Sequence, residues 1–148
     1  MANNYQQCSF AFGIKSPEER AFLVALAERA EKAEDEDQEA DGDVPPFEVA
    51  VVEFGCGWGW TPAHDAECGC FYAEEGGNVE AMVLGLQEFL AKFRGPTETI
   101  AFTWANTCSA MRPHNFSGGG VAFTATEARW VNAEDETNRL ETELKMGR

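Results

Sequence analysis

Basic side chains are scarce in this sequence. Its 148 residues include 11 Lys and Arg against 26 Asp and Glu, which gives a formal net charge of −15. A surface this negative repels phosphate backbones and anionic lipids, so we expect no direct binding to nucleic acid or to a membrane. The partner class that complements such a surface is a basic protein.

Long apolar runs and a secretion signal are also missing. No stretch of about 18 apolar residues is present to span a bilayer, and the opening MANNYQQCSF lacks the basic and apolar regions of a signal peptide. We therefore expect a cytoplasmic protein. The cysteine count of five is odd, so in that compartment we expect reduced, buried or metal-bound thiols rather than a disulfide framework.

Apolar residues are plentiful enough for a core, and their spacing predicts an α+β fold. Hydrophobic residues make up 44% of the chain, and the length indicates a single domain over 1–148. A capping box from Ser16 to Glu19 predicts a first helix, and an apolar stripe after Asn78, ended at Arg94-Gly95-Pro96, predicts a second. Patterns with a period of two predict strands at 6–12, 47–54, 68–73, 97–104, 120–126 and 128–132.

The first six elements follow the order of a ferredoxin-like βαββαβ arrangement. This order predicts an antiparallel sheet with two helices on one face, followed here by a C-terminal β extension. Residues 34–46 are predicted to form an acidic linker. Residues 133–148 show only Leu140 and Leu144 as a helical stripe, which indicates either a short surface helix or a frayed tail.

The acidic segment 31–43 differs most from an average domain, because eight of its thirteen residues are acids and one is basic. A charge run of this kind can simply be a solvated surface that keeps the protein soluble. Alternatively, a dense carboxylate surface mimics a nucleic acid and binds a basic groove on a partner. The predicted partner-binding carboxylates are Glu31, Glu34, Asp35, Glu36, Asp37, Glu39, Asp41 and Asp43.

A second candidate site lies in the loop after the predicted strand 47–54 and at the start of the predicted strand 68–73. Cys56, His64, Cys68 and Cys70 provide four ligands within fifteen residues, which is sufficient in number for tetrahedral zinc. Their spacing is atypical, because structural zinc sites pair cysteines two to four residues apart at both ends. Buried thiols acting as small hydrophobic side chains are the alternative.

Cys108 heads a third candidate, together with Arg112 and His114. A nearby cation stabilises a reactive thiolate, and a run of three glycines follows. No acid is placed to orient His114, and the glycines lead into a strand rather than a helix, unlike a phosphate-binding loop. A structural loop is therefore the preferred interpretation.

Trp58 and Trp60 lie among glycines, where a side chain is hard to bury. Tryptophan is typical of interfaces, so these two residues are predicted to contribute to partner binding, whereas packing in the core is the alternative.

Several segments of the second half resemble a family of small acidic proteins encoded by phages and plasmids. The resemblance rests on YAEEGGNVE at 72–80, FLAKF at 89–93, TWANTCS at 103–109 and FSGGG at 116–120, and covers about 69–132. It implies an origin on a mobile element and no enzymatic activity, and it transfers no catalytic residue. By analogy, a phage setting suggests an inhibitor of a host defence system, of the anti-CRISPR or anti-restriction type.

The leading hypothesis is thus a cytoplasmic, non-enzymatic protein that binds a basic, nucleic-acid-handling host partner through its acidic face. The competing hypothesis is a small zinc-binding or thiol-dependent enzyme that uses the Cys56 to Cys70 region or the Cys108 to His114 region. A third is a phage accessory or structural subunit that assembles through Trp58 and Trp60.

Overall fold

The structure is a computed structural model that describes residues 4–35, 45–54, 60–62, 68–73, 78–108 and 117–147. These ranges confirm an α+β protein. In chain order its elements are β1 (Asn4–Gly13), α1 (Pro17–Asp35), α2 (Pro46–Phe54), β2 (Trp60–Pro62), β3 (Cys68–Ala73), α3 (Val79–Phe93), β4 (Ile100–Cys108), β5 (Ser117–Phe123), β6 (Ala128–Asn132) and α4 (Ala133–Lys145).

The strands form one six-stranded sheet in the order β2-β3-β1-β4-β5-β6. All neighbours are antiparallel. Cys8 lies opposite Ala73 of β3 and Trp104 of β4, so β1 is a central strand. Because side chains alternate along a strand, Cys8, Phe10 and Phe12 face the helices, whereas Ser9 and Ala11 are exposed on the other face.

Helix α1 begins at the predicted capping box. Ser16 Oγ accepts a hydrogen bond from Glu19 N at 3.2 Å, and Glu19 Oε2 accepts one from Lys15 N at 3.1 Å. Pro17 occupies the first helical position, where a missing N–H has no cost. Leu23, Leu26, Ala30 and Ala33 are buried at helical spacing, which keeps α1 regular up to Asp35.

The predicted strand at 47–54 is wrong, because this segment is helix α2. Its sequence FEVAVVEF is rich in β-formers, but Phe47, Ala50 and Val51 are the residues that become buried, at the spacing of a helical face. Pro46 starts the helix, and Val49 N donates to Pro45 O at 3.2 Å. The Phe47 ring packs so closely on α3 that a Cβ on Gly85 would lie 3.1 Å from it. Tertiary packing has overridden the local β propensity.

Helix α3 has the predicted start and end. Asn78 Oδ1 accepts a hydrogen bond from Ala81 N at 3.1 Å, and Asn78 Nδ2 donates to Ala50 O of α2 at 3.1 Å. At the other end, Arg94 N donates to Leu90 O at 2.9 Å. Asn78 therefore caps one helix and joins it to another.

The core lies between the sheet and the helices, and α2, a helix in addition to the two predicted here, packs on α1 and α3. The largest fully buried side chains of the core are Phe47, Phe89, Phe123, Leu23, Leu26, Met82, Leu86 and Leu90. Phe10 and Phe102 stack across β1 and β4 with ring centroids 4.1 Å apart.

The bounds of two strands also differ from the predicted ones. Strand β4 starts at Ile100 rather than at 97, because Glu98 N donates to Gly95 O in a turn. Strand β5 covers Ser117–Phe123 rather than 120–126, and Thr124 N donates to Glu127 O at the turn into β6. Of the helices in the described ranges, none combines the length and the apolar character needed to cross a bilayer.

Candidate partner-binding surfaces

The beginning of the predicted acidic surface lies on helix α1. Glu31 is exposed there, and Glu34 and Asp35 belong to its last turn. The predicted linker 34–46 is therefore shortened at both ends, because burial of Ala30 and Ala33 extends α1 and Pro46 begins α2. The remaining predicted carboxylates lie outside the described residues: Glu36, Asp37, Glu39, Asp41 and Asp43.

The cysteine and tryptophan candidates are described only in part. Cys68 and Cys70 lie two residues apart on β3, and Trp60 on β2 pairs with Phe71. Cys56, Trp58 and His64 lie outside the described residues. In the ranges that the structure describes, no three His, Cys, Asp or Glu residues form a group that could hold a metal ion. The zinc site remains a prediction.

The third candidate site is also described only in part. Cys108 ends β4, opposite Asn4 of β1, whereas Arg112 and His114 fall outside the described residues. Among the thiols, Cys8 is buried, with its Sγ 3.7 Å from Met82 Sδ. This one cysteine is packed in the core as a small apolar side chain.

The sheet face opposite the helices carries a shallow depression of about 530 Å³. Its floor consists of small residues, because Ser9, Ala101, Thr103, Gly120 and Ala122 project little from the backbone. At the rim lie Arg129 and Val131. The predicted sites do not include this surface, although its small residues alternate along β4 and β5.

Among the residues that the structure describes, most of the large apolar side chains that reach solvent lie in the segment formed by β6 and α4. Trp130 is 44% exposed and Val131 45%, and on α4 Leu140 is 51% and Leu144 76% exposed. No residue of α4 is buried. Of the two predicted alternatives for this tail, the structure shows the surface helix. Trp130 was not predicted as a surface residue, and only its position in a short final strand could have indicated it.

Helix α4 is held by interactions within its own sequence. Asn132 Oδ1 accepts hydrogen bonds from Glu134 N at 2.9 Å and from Asp135 N at 3.3 Å. Arg139 bridges Glu136 and Glu143 across successive turns. Hydrogen bonding to Glu136, with the charges of both carboxylates, raises the pKa of the Arg139 guanidinium.

The basic side chains are largely engaged with carboxylates. Arg94 forms a two-pronged contact with buried Glu19, through Nε to Oε1 and Nη2 to Oε2, each at 3.0 Å. Burial lowers the pKa of Arg94, but hydrogen bonds to Glu19 and Glu98 outweigh it and raise that pKa. Ion pairs also involve Lys15, Arg29, Arg129, Arg139 and Lys145. These cations are thus offset locally, and in the described ranges exposed carboxylates outnumber exposed cations.

Comparison of the chain with protein families, with curated proteins and with solved structures finds no match. The resemblance to phage and plasmid proteins therefore remains a prediction.

Proposed function

We propose that this chain is a non-enzymatic acidic protein that binds a basic surface of a nucleic-acid-handling host protein. The observation that carries the proposal is the net charge of −15, with eight carboxylates concentrated in 31–43. Such a charge density accelerates association with a basic partner and disfavours nucleic acid and membranes as direct ligands.

The ion pairs support this proposal because they leave little positive potential to oppose it. Arg94 is only 11% exposed and is turned towards Glu19. Arg29 is held by Glu48 at 2.6 Å and Glu88 at 3.1 Å. Meanwhile Glu28 and Glu31 are exposed on α1 as it leads into the acidic segment. In this part of α1 the exposed carboxylates therefore outnumber the one exposed cation, Lys32.

Closely spaced carboxylates reproduce the charge of a phosphate backbone, so the partner surface best suited to them is a groove built for nucleic acid. With the resemblance to phage and plasmid proteins, this extends the proposal to nucleic-acid mimicry by an inhibitor of a host defence system in the host cytoplasm.

The sheet order supports a split βαβ arrangement of the ferredoxin-like kind as the scaffold. The connection from β1 to β2 passes over β3, and the connection from β3 to β4 passes over β1. Each connection therefore leaves one antiparallel strand between the strands that it joins. The first connection contains two helices, α1 and α2, which departs from the simple pattern.

The experiment is affinity capture from host lysate at low and high salt. We compare the wild type with a variant that carries Glu34→Gln, Asp35→Asn, Glu36→Gln and Asp37→Asn. A control removes the same charge from α4 through Glu134→Gln, Asp135→Asn, Glu136→Gln and Glu141→Gln.

We expect a basic partner that is lost at high salt. Its affinity should fall at least about tenfold in the first variant, or about 1.4 kcal/mol, and less in the control. Equal capture by all three proteins, or capture that salt does not affect, would contradict the proposal.

The zinc hypothesis has one supporting observation, which is that β3 carries Cys68 and Cys70 two positions apart. Side chains at this spacing share one face of a strand. Metal analysis of chelator-washed protein tests it: stoichiometric zinc would support the site, and its absence would remove it.

A further inference from the structure

Strand β6 has an outer edge with unpaired backbone groups, as far as the described strands go. Thr124 N donates to Glu127 O at 2.8 Å, so these residues form a hydrogen-bonded pair at the turn. Because such pairs alternate along an antiparallel ladder, Arg129 and Val131 bond to β5. The close approach of Val131 O to Gly119 agrees with this. Ala128 and Trp130 therefore direct their N–H and C=O groups outwards. Asn132 directs only its N–H outwards, because the carbonyl of an N-cap residue accepts the first hydrogen bond of its helix.

The side chains of β6 do little to block this edge. Natural edge strands are protected by charged side chains, proline or bulges, or by being very short; β6, with the five-residue sequence ARWVN, has no proline and one charged residue. Its single charge, Arg129, is held by Glu127 Oε1 at 2.9 Å. Trp130, at the centre of the strand, is 44% exposed, and its ring packs edge-on against Trp104 with centroids 5.6 Å apart.

We propose that β6 pairs with β6 of a second copy of this chain, antiparallel about a two-fold axis at Trp130. The two six-stranded sheets then form one continuous sheet. In this register Trp130 lies opposite Trp130 of the second copy, Arg129 lies opposite Val131, and Ala128 lies opposite Asn132.

The length and chemistry of β6 favour a second copy over an unrelated strand. The turn at 124–127 bounds the strand on one side and α4 on the other, so two copies begin and end together. The two Trp130 residues exchange two backbone hydrogen bonds. The N–H of each Asn132 reaches the C=O of Ala128 in the other copy, which adds two more. The paired Trp130 rings join the two Trp104 rings in one aromatic layer, and cross-strand aromatic pairs stabilise sheets.

The negative charge of the two copies opposes this association, so the dimer should depend on salt in a defined direction. Helix α4 directly follows β6 and carries five carboxylates against two cations, so two copies bring two negative helices near one interface. Salt screens such repulsion. The dimer should therefore strengthen with salt, which is opposite to the salt effect expected for the basic partner.

The first experiment is sedimentation of the purified full chain over a range of concentrations, at low and high salt. We expect the mass to rise from 16.3 kDa towards twice that value, at lower concentration in high salt. Trp130→Lys should abolish the dimer, because it places two ammonium groups at the axis. Leu144→Lys adds the same charge on α4 and should preserve the dimer. A wild type that stays monomeric, or a Trp130→Lys variant that still dimerises, would overturn the proposal.

Oxidative cross-linking tests the register. In a hydrogen-bonded pair the Cα atoms are about 5.5 Å apart, which suits a disulfide. A Trp130→Cys variant should therefore form a covalent dimer beyond the level of the wild type and its native thiols. Thr126→Cys is the control, because in this register its two copies are about 27 Å apart along the strands. Equal cross-linking of both variants would refute pairing about Trp130.

Discussion

The helix layer formed by α1, α2 and α3 and the C-terminal segment formed by β6 and α4 use the same kinds of interaction in opposite environments. Each contains a helix capped by asparagine and an arginine that bridges two glutamates. In the helix layer Asn78 is 4% exposed, and Arg94 reaches Glu19, far away in the sequence. In the C-terminal segment Asn132 and Arg139 are exposed and bond only within a few residues.

The difference shows that burial, rather than the type of contact, decides what a contact contributes. An unpaired group costs most where water cannot replace the lost partner. We therefore expect the helix layer to set the global stability, and α4 to open locally at a much lower free energy. Four pairs of substitutions test this contrast.

The largest expected effect is on the buried ion pair. Arg94→Met leaves Glu19 buried without its cation, so the free energy of unfolding should fall by about 3–5 kcal/mol. Arg139→Met breaks two exposed ion pairs, which water and salt screen, and should leave the free energy of unfolding nearly unchanged. Urea unfolding measures both. Similar losses in the two variants would show that the two environments do not differ as described.

Two leucines provide the corresponding test for apolar contacts. Leu86 on α3 is fully buried, and Leu86→Ala should cost about 2–5 kcal/mol, because it leaves a cavity. Leu144 on α4 is 76% exposed, and Leu144→Ala should change the stability of the monomer by no more than about 0.5 kcal/mol. If urea unfolding at low protein concentration showed a large loss of stability in Leu144→Ala, α4 would have to pack against the rest of the domain.

Removal of the two asparagine caps should give losses of stability that differ by less than those of the two pairs above. Asn78→Ala removes the cap of α3 and also leaves Ala50 O without its donor, so it should cost about 1–3 kcal/mol. Asn132→Ala removes an exposed cap and should cost about 0.5–1 kcal/mol, seen as faster hydrogen exchange in α4. Equal global losses would contradict the proposed role of burial.

The smallest expected effect is on the pH dependence of the free energy of unfolding. Hydrogen bonds from Arg94 and Lys15 hold the pKa of Glu98 below its usual range. A carboxyl whose pKa is lower when folded stabilises the protein above its unfolded pKa of about 4.3, and this contribution disappears as the pH falls through the folded pKa. Glu98→Gln should therefore weaken the loss of stability on acidification. Glu141→Gln on α4 carries the same charge change and should leave the acid profile closer to that of the wild type.

How far the sequence predicts this fold depends on where the decisive contacts lie. The capping box before α1 and the Asn78 cap of α3 involve residues three positions apart, so both starts could be predicted. Helix α2 could not be, because Phe47 is helical only through its contact with α3. Among the candidate sites, Glu31 could be placed on the surface from charge alone. The exposure of Trp130 depends on which strand lies at the sheet edge.

The sequence by itself determined the acidic excess, the start of α1, both ends of α3 and the mixed α+β class. These properties follow from composition or from interactions between close neighbours in the chain. Only the tertiary structure decided that 47–54 is a helix, that Glu19 is buried against Arg94 and that β6 forms an open edge. Each of these depends on partners that the fold brings together from distant parts of the chain, and local propensity carries no information about them.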